Sequence, residues 1–511
     1  MIRAYEAQAI REAEAPLLAV TATDELMTRA AFAVATAVLE ELTRLGARRS
    51  GTTVLLLVGG GNNGGDALYA GAYLARRGLQ VAAALCTDRP HERGLAAARA
   101  AGVRAHDVLD AAGRPRAELL AVLADRAGVW LDGLTGIGAR GALREPLAGI
   151  VTALAARRAA MPDEPTVVAV DVPSGIGVDD GTVAGPVLRA DVTVTMGAAK
   201  PGLLTRPAEA LTGRLVVVDI GLALGEPALA RLGAADVADL LRPPLPTDHK
   251  YTRGVLGLVA GSTTYPGAAV LAAAGALRTG VGMVRYLGPE GPTRLVHERF
   301  PEVVAGSGRV QAWAAGSGVD PADEGRAADV RDALRRALAD GLPAVLDAGA
   351  LALAPERLPA TVVLTPHAGE LAQLLTARGE TTSRADVEAA PLTAARRAAA
   401  LTGATVLLKG ATTVVAAPGG TTLTQADGSP WLATAGTGDV LAGVLGALLA
   451  QRGEDLAGGG DPDGALTAEL AAAAALLHGR AGARACAGGP VTALTVADAL
   501  PGVVADVLGS L

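Results

Sequence analysis

Polar side chains mark three glycine-rich stretches in the first half of the sequence. Asp132 begins DGLTGIGARG, Asp171 begins DVPSGIGVDDG, and residues 59–71 read GGGNNGGDALYAG. Each stretch follows a short apolar run of the kind that forms a buried strand. Because ligands of open α/β sheets bind outside the carboxyl ends of the strands, we expect the three stretches to converge. A carboxylate at such a dry strand end can accept or donate a proton.

Each stretch has a simpler explanation when it is considered alone. An aspartate after a strand is more often a helix cap or a turn former. Residues 59–71 could likewise be a structural Gly/Asn turn, although the helix that follows would still offer free N–H groups to an anion. Three such stretches in one half of the chain favour a binding site.

The second half contains a different combination, a GTGD turn at Gly436–Asp439 that leads into an apolar helix. Backbone N–H groups at a helix N-terminus bind anions, and here a carboxylate lies beside them. This pairing suits phosphoryl transfer to a hydroxyl, because the carboxylate takes the proton while the helix end holds the phosphate charge. The motifs TPHAGE (365–370) and KGATT (409–413) each follow a predicted strand. We therefore predict Asp439 as a catalytic base.

Short apolar runs alternate with helix-like segments and would position these residues. This alternation predicts mostly parallel sheets with helices on both faces. Three prolines in Leu241–Lys250 are incompatible with helix or sheet interiors, so a boundary between two α/β domains is expected at about 225–245. The predicted strands are Val54–Val58, Val81–Leu85, Val129–Leu131, Val167–Val170, Val192–Thr195 and Val216–Val218, then Val255–Val259, Val281–Tyr286, Ala344–Leu346, Val362–Leu364, Val406–Leu408 and Val414–Ala416.

The composition is that of a large globular protein. The 511 residues exceed the ~100–200 of one domain. Half are hydrophobic but only 2% are aromatic, so the core must consist of Ala, Val and Leu. Mixed charges with a net of −7 argue against nucleic-acid binding, and Cys86 and Cys486 are too few for a disulfide framework. Residues 1–15 lack the apolar region of a signal peptide and no stretch reaches the ~18 apolar residues of a membrane span, so we expect a cytoplasmic protein.

The first-half motifs, together with DELMTRAA (24–31) and ADVTVTMGAAKPGLL (190–204), resemble the epimerase domain of the NAD(P)H-hydrate repair enzymes. The resemblance covers nearly all of residues 1–222 and implies a Rossmann-like three-layer αβα domain at 1–225. It implies that Asp171 does acid/base work on the hydrated nicotinamide and that Asn63, Asp132 and Ser174 hold K⁺. The implied substrate contacts are Asn62, Asn63, Gly64, Gly65, Asp66, Gly136, Ile137, Gly138, Ala139, Arg140, Gly141, Ala142 and Asp171.

Two residues of this half leave alternatives open. Lys200 is either a second catalytic or anion-binding group or a solvated lysine. Ala67 stands where the family usually has glycine, and alanine would be strained if that position needs a positive φ. In that case the domain would be only a binding or dimerisation module.

The second-half motifs, together with GSTTYPGAA (261–269) and ATAGTGDVLAG (433–443), resemble the dehydratase of the same repair system. The resemblance implies a ribokinase-like αβα domain at 245–511. There ADP or ATP, with Mg²⁺ bridging its phosphates, would phosphorylate the hydroxyl of the S hydrate, and phosphate would then leave to restore NAD(P)H. Implied substrate contacts are Ala268, Gly318, His367 and Asp439; implied nucleotide contacts are Lys409, Gly410, Ala411, Thr412, Thr413 and Gly438.

The expected partners are therefore NADHX, NADPHX and an adenine nucleotide, with no nucleic acid and no membrane. We also expect a homo-oligomer, as is common for large Ala-rich α/β domains. One alternative function is a ribokinase-like kinase of a small molecule such as a vitamin, with a non-catalytic Rossmann-like domain. A helix N-terminal role or a solvated position is the alternative for His367.

Overall fold

The computed structural model describes residues 1–20, 24–46 and 51–510, which form two compact units. The N-terminal unit comprises residues 3–228. The C-terminal unit comprises residues 1–2 and 229–511. The first strand, β1 (Ile2–Ala4), thus begins in one unit and ends in the other.

The N-terminal unit is built on a seven-stranded sheet in the order β4-β3-β2-β5-β6-β7-β8, with every pair parallel. Residues of the central strands alternate between two cores: Leu55 and Leu57 pack on one face, and Val54, Leu56 and Val58 on the other. Strands buried on both faces must be apolar throughout, which explains their continuous Val/Leu runs. The strands are β2 (Thr53–Val58), β3 (Gln80–Leu85), β4 (Arg104–Asp107), β5 (Val129–Gly133), β6 (Thr166–Val170), β7 (Val192–Met196) and β8 (Arg214–Val218).

Helices cover both faces of this sheet, as the strand–helix alternation predicts. They are α1 (Ala7–Val20), α2 (Glu25–Arg44), α3 (Gly61–Arg76), α4 (Glu92–Ala100), α5 (Ala117–Asp125) and α6 (Leu147–Ala160). All six predicted strands are present. Strand β4 was not predicted, because its sequence RAHD has no apolar run.

The sheet of the C-terminal unit runs β9-β18-β17-β16-β15-β14-β13-β10-β11-β12 from β9 onward. Strand β17 is antiparallel to both neighbours, and the strands from β16 to β12 pair in parallel. The strands are β9 (Leu229–Arg231), β10 (Val255–Val259), β11 (Met283–Tyr286), β12 (Val304–Ala305), β13 (Ala312–Ala315), β14 (Ala344–Leu346), β15 (Val362–Leu364), β16 (Thr405–Leu408), β17 (Thr413–Ala416) and β18 (Thr422–Gln425).

Glycines bring the helices of this unit unusually close together. A Cβ on Gly275 would lie 2.2 Å from the carbonyl oxygen of Val440, and a Cβ on Gly443 would lie 2.0 Å from that of Ala272. The helices are α7 (Ala234–Leu240), α8 (Gly267–Arg278), α9 (Glu290–Arg299), α10 (Glu324–Ala339), α11 (Gly349–Ala352), α12 (Ala368–Thr376), α13 (Arg384–Ala389), α14 (Pro391–Thr402), α15 (Thr437–Gln451), α16 (Gly453–Leu456), α17 (Ala465–Cys486) and α18 (Ala493–Leu508). Within the described ranges, no helix is long and apolar enough to cross a membrane.

Candidate active sites

The Asn-rich stretch of the N-terminal unit is helical, which corrects the expectation that it forms a loop. Helix α3 begins at Gly61 with Gly60 as its N-cap, so Asn62–Asp66 lie in its first turns. The turn before this helix is tight. A Cβ on Gly59 would lie only 1.8 Å from the carbonyl oxygen of Leu134. The glycine therefore lets the ends of β2 and β5 approach each other closely.

A cavity described below lies beside the start of α3, and a side chain on Gly64 or Gly65 would point away from it into the protein. A Cβ on Gly64 would lie 2.1 Å from the Gly59 carbonyl oxygen, and a Cβ on Gly65 would lie 2.8 Å from the sulfur of Met27. Both glycines thus allow α3 to pack closely. Of the five predicted contacts in this stretch, Asn62, Asn63 and Asp66 line the cavity.

Of the three predicted potassium ligands, Asp132 and Ser174 lie at the ends of β5 and β6, and Asn63 lies in the first turns of α3. Asp132 is fully buried and accepts hydrogen bonds from the hydroxyl and the backbone N–H of Ser174, at 2.7 and 2.9 Å. The Asn63 amide donates to the Thr135 carbonyl at 2.8 Å, which leaves its own oxygen available as an acceptor. The buried Thr135 hydroxyl has no hydrogen-bond partner in the described structure. Burial raises the pKa of Asp132, while hydrogen bonds from Ser174 and Leu134 act in the opposite direction.

Asp171 follows β6 in a left-handed backbone conformation, with φ 67°. Its Oδ1 accepts hydrogen bonds from the Lys200 ammonium, the Thr195 hydroxyl (3.2 Å) and the Met196 N–H (3.2 Å). Lys200 is only 1% exposed and also donates to Thr195 and to the Met196 carbonyl. The interpretation of Lys200 as a solvated lysine is therefore wrong.

Asn63, Thr135 and Asp171 line one cavity of about 730 Å³. Asp171 and Asp66 both line it, together with Arg11 and Glu14 of α1, which the sequence analysis did not identify. Burial raises the pKa of Asp66 well above its usual value, and the negative charges of Asp171 and Glu14 raise it further. Burial and the charge of Asp171 also raise the pKa of Glu14, against the effect of Lys200 and Arg11.

The stretch Gly136–Ala142 divides between two neighbouring cavities. Residues 136–139 line the cavity that contains Asp171. Arg140, Gly141 and Ala142 line a second cavity of about 1130 Å³, to which Gly138 and Ala139 also belong. The shared residues place the two cavities side by side at the carboxyl ends of the strands.

Ala67 is not strained. It lies inside α3, is fully buried, and is not among the residues with a positive φ. Its methyl group faces Gly133, where an added Cβ would lie 2.6 Å away. The reason for regarding this domain as non-catalytic is therefore removed.

In the C-terminal unit, α15 begins after Gly436, whose φ is 89°. Asp439 lies in the first turn of this helix, beside the free N–H groups. Burial raises the pKa of Asp439 to about 6; the charge of Asp347 adds to this, whereas Lys409 and Ser317 lower it. A carboxyl with such a pKa can serve as a base near neutral pH.

Lys409 connects the groups around this turn. Its ammonium lies 2.8 Å from Asp347 Oδ1 and 3.8 Å from a Glu370 carboxylate oxygen. A Cβ on Gly438 would lie 3.7 Å from the same ammonium. Burial alone lowers the pKa of Lys409, but Asp347, Glu370 and Asp439 raise it overall.

Asp347 is the principal residue that the sequence analysis missed. It follows β14 and is 2% exposed, and its carboxylate also accepts hydrogen bonds from Ser317 (2.9 Å) and Thr365 (2.8 Å). Its position directly after a predicted strand was the available signal, since the same rule identified Asp132 and Asp171.

Two of the predicted substrate contacts lie against each other. Gly318 has φ +66°, and a Cβ there would lie 2.4 Å from the Cβ of Ala268. Only glycine accommodates this approach and this conformation. A cavity of about 990 Å³ lies alongside, lined by Tyr265, Gly349 and Glu370 among others.

His367 is the N-cap of α12. Its Nδ1 accepts hydrogen bonds from the N–H groups of Gly369 (3.0 Å) and Glu370 (3.1 Å), and the imidazole is otherwise exposed. The helix N-terminal role is thus observed. The Nε2 of His367 lies 3.7 Å from a carboxylate oxygen of Glu370, beyond hydrogen-bond distance, and the predicted substrate contact stays a prediction.

Of the predicted nucleotide contacts, Lys409–Thr412 form the tight connection between β16 and β17, and Thr413 begins β17. Among the described residues, no group of three or more His, Cys, Asp and Glu side chains could hold a metal ion.

Two α/β units, each with a carboxyl group close to a helix N-terminus, indicate an enzyme with two sites. Residues 23–202 match the family described as YjeF-related protein N-terminus, and residues 256–501 match NAD(P)H-hydrate dehydratase. The bifunctional NAD(P)H-hydrate repair enzyme of Mycobacterium tuberculosis is 42% identical over 87% of this chain and 89% of that protein. The Corynebacterium glutamicum enzyme of the same name is 33% identical over 98% of both chains.

The chain therefore belongs to the family of bifunctional NAD(P)H-hydrate repair enzymes. The predicted family, the two-domain α/β fold class and the combination of epimerase with dehydratase are confirmed. Among solved structures, the ADP/ATP-dependent NAD(P)H-hydrate dehydratase of Bacillus subtilis, crystallised with ATP and Mg²⁺, is 27% identical; it covers 55% of this chain and 99% of its own, with a TM-score of 0.47.

Proposed function

We propose that residues 1–225 interconvert the R and S hydrates at the Asp171 cavity, and that residues 245–511 dehydrate the S hydrate beside Asp439. The observation that carries the proposal is the same in both units. A carboxyl group lies next to helix N–H groups that can hold phosphate: Asp171 shares its cavity with the first turn of α3, and Asp439 lies in the first turn of α15. A dinucleotide supplies both the phosphate and the reacting ring.

In the N-terminal unit the reacting carbon carries a hydroxyl and is bonded to the ring nitrogen. Inverting it requires proton transfer at that hydroxyl and an opened or dehydrated intermediate. Asp171, fixed by Lys200 and Thr195, would be the group that moves this proton. The contacts proposed for the dinucleotide are Asn62–Asp66 and Gly136–Ala142, of which Gly64 and Gly65 would act through their packing.

The oxygen atoms near Ser174 suit a potassium ion. One carboxylate, one amide oxygen and the hydroxyl of Ser174 are a weakly charged oxygen set, which fits a hard monovalent cation. The unpartnered hydroxyl of Thr135 adds a further oxygen at the same place. A cation held by Asn63, Asp132 and Ser174 would favour the charged form of the buried Asp132.

In the C-terminal unit Asp439 would remove the proton from the hydroxyl of the hydrate as that oxygen attacks the terminal phosphoryl group of the nucleotide. The N-terminal N–H groups of α15 and the ammonium of Lys409 would hold the phosphate charge. The C–O bond then breaks, phosphate leaves with the electron pair, and loss of the neighbouring proton restores the dihydropyridine. The substrate contacts proposed are Ala268, Gly318, His367 and Asp439, and the nucleotide contacts are Lys409–Thr413 and Gly438.

Mg²⁺ would neutralise the phosphates of ADP or ATP in this step. The described carboxylates form no three-ligand group, which suits an ion held mainly by the nucleotide. We further propose a cytoplasmic homo-oligomer that binds no nucleic acid. Two isolated cysteines suit a reducing compartment, large Ala-rich α/β domains commonly assemble, and the mixed charges argue against nucleic acid.

The test uses the full chain with mixed R and S hydrates of NADH, Mg²⁺, K⁺ and ADP or ATP, and follows the return of NADH absorbance. Recovery of both epimers, faster than they interconvert unaided, and release of free phosphate are expected. A stable phosphorylated product without NADH would instead establish a small-molecule kinase. Recovery of the S hydrate alone would leave the N-terminal domain without epimerase activity.

A further inference from the structure

The carboxyl group of Asp66 has no assigned task beyond substrate contact, yet its surroundings differ sharply from those of Asp171. Both side chains line the same cavity. Asp171 is held by three donors, including the ammonium of Lys200. Asp66 receives no hydrogen bond and forms no ion pair with any described residue, so its carboxyl is free to bond to a ligand.

Among the described residues of the elements packed around Asp66, no cation is in contact with it. Helix α1 contributes Glu14 and Arg11 to the cavity, and α2 contributes only apolar side chains. His91 caps α4, and its Nδ1 is already occupied by the N–H of Gly94. The charged groups that bear most on Asp66 are the carboxylates of Asp171 and Glu14, which together with burial raise its pKa.

The surroundings of Asp171 and Asp66 thus suit opposite roles in proton transfer. An acceptor surrounded by donors suits a base, whereas a half-buried carboxyl that has no donors and shares its cavity with two other carboxyl groups suits an acid. We propose that Asp66 is the catalytic proton donor that complements Asp171 in the epimerisation, an inference that rests on the proposed epimerase site.

The step can be written with every proton and electron pair assigned. Asp171 removes the hydroxyl proton of the hydrate, a C=O bond forms, and the bond from that carbon to the ring nitrogen breaks. The electron pair goes to nitrogen, which takes the proton of Asp66. After the aldehyde rotates, nitrogen returns its proton to Asp66 and attacks the other face, and the oxygen regains its proton from Asp171. Enzyme and substrate end with the protons they began with, and the centre is inverted.

The experiment measures interconversion of purified single epimers by chromatography, without nucleotide so that dehydration does not occur. Asp66→Asn keeps the size of the side chain but cannot donate the carboxyl proton. We expect kcat to fall by about 10²–10⁴-fold with KM within about threefold of wild type. Since only protonated Asp66 can donate, wild-type kcat should decline as pH rises through the pKa of Asp66, and Asp66→Asn should lose this decline.

Matched variants separate chemistry from folding. Asp163→Asn changes an exposed aspartate of the same unit and should keep the wild-type rate. Asp66→Glu retains a carboxyl and should recover part of kcat. Circular dichroism and urea unfolding report whether Asp66→Asn is folded.

Two results would overturn the inference: a kcat for Asp66→Asn close to that of Asp163→Asn, or a rise in KM alone. Loss of activity in Asp171→Asn beside such a result would leave the proposed site standing. A wild-type rate no faster than spontaneous epimerisation would instead refute the proposed function and the inference together.

Discussion

Asp439 illustrates how neighbouring groups adjust a single side chain for its chemistry. Burial, followed by the charge of Asp347, raises its pKa to about 6, against the effects of Lys409 and Ser317. A base must be deprotonated, so the dehydratase kcat should fall as pH decreases through about 6 and level off above it. Asp439→Asn should lower kcat by about 10²–10⁴-fold. NADH recovery from the S hydrate between pH 5 and 8 measures both effects.

The control for this prediction is Asp332→Asn, an aspartate on α10 whose partners are surface arginines. This variant should keep both the wild-type kcat and the decline of kcat at acidic pH. If kcat of Asp439→Asn still declined at acidic pH, the titrating group would be another residue and Asp439 would not be the base.

At the scale of elements, His367 allows a structural and a binding role to be separated. Its Nδ1 caps α12, and loss of such a cap costs about 0.5–2 kcal/mol. In His367→Ala, hydrogen exchange at the start of α12 should accelerate, whereas His367→Ser should restore protection by capping with its hydroxyl. If the imidazole also contacts the hydrate, both variants should raise KM equally. A KM change that follows only helix protection would assign His367 to the cap alone.

Helix α3 gives a second prediction, because Ala67 faces Gly133 across a short gap. Ala67→Gly should cost about 0.5–1 kcal/mol of stability, since glycine is unfavourable in a helix, and should leave epimerisation unchanged. Gly133→Ala should cost about 1–3 kcal/mol, because its Cβ would lie 2.6 Å from that of Ala67.

Urea unfolding measures both losses of stability, and hydrogen exchange of peptides from residues 53–76 reports them locally. The penalty of Gly133→Ala should be smaller in the Ala67→Gly background. Equal penalties in the two backgrounds would show that the two residues do not interact.

The sequence predicted elements well where pattern and burial coincide. All twelve predicted strands are present, and most of them were recognisable because parallel strands buried on both faces are continuously apolar. Strand β13 (AWAA) was not predicted because alanine has little strand preference. The partners of individual side chains could not be predicted from the sequence. Nothing in AAKPG shows that Lys200 is buried against Asp171, and nothing in the sequence of α1 shows that Glu14 reaches the same cavity. Such contacts depend on tertiary packing and not on local spacing.

At the scale of the whole molecule, one chain carries two reactions that share a substrate. Single substitutions should separate them, because each site has its own acid/base carboxyl. With mixed epimers and nucleotide, Asp171→Asn should restore NADH in two phases: a fast phase for the S hydrate, then a slow phase at the spontaneous rate of epimerisation. Asp439→Asn should restore NADH about 10²–10⁴-fold more slowly than wild type but should still equilibrate the epimers.

Adding Asp439→Asn protein to the Asp171→Asn chain should remove the slow phase if the substrate passes through solution, since one variant then supplies the epimer that the other consumes. The rate of that rescue should increase with the concentration of the added protein. If the slow phase persisted at every concentration while the wild-type chain showed a single phase, transfer of the hydrate between sites would require both activities in the same chain.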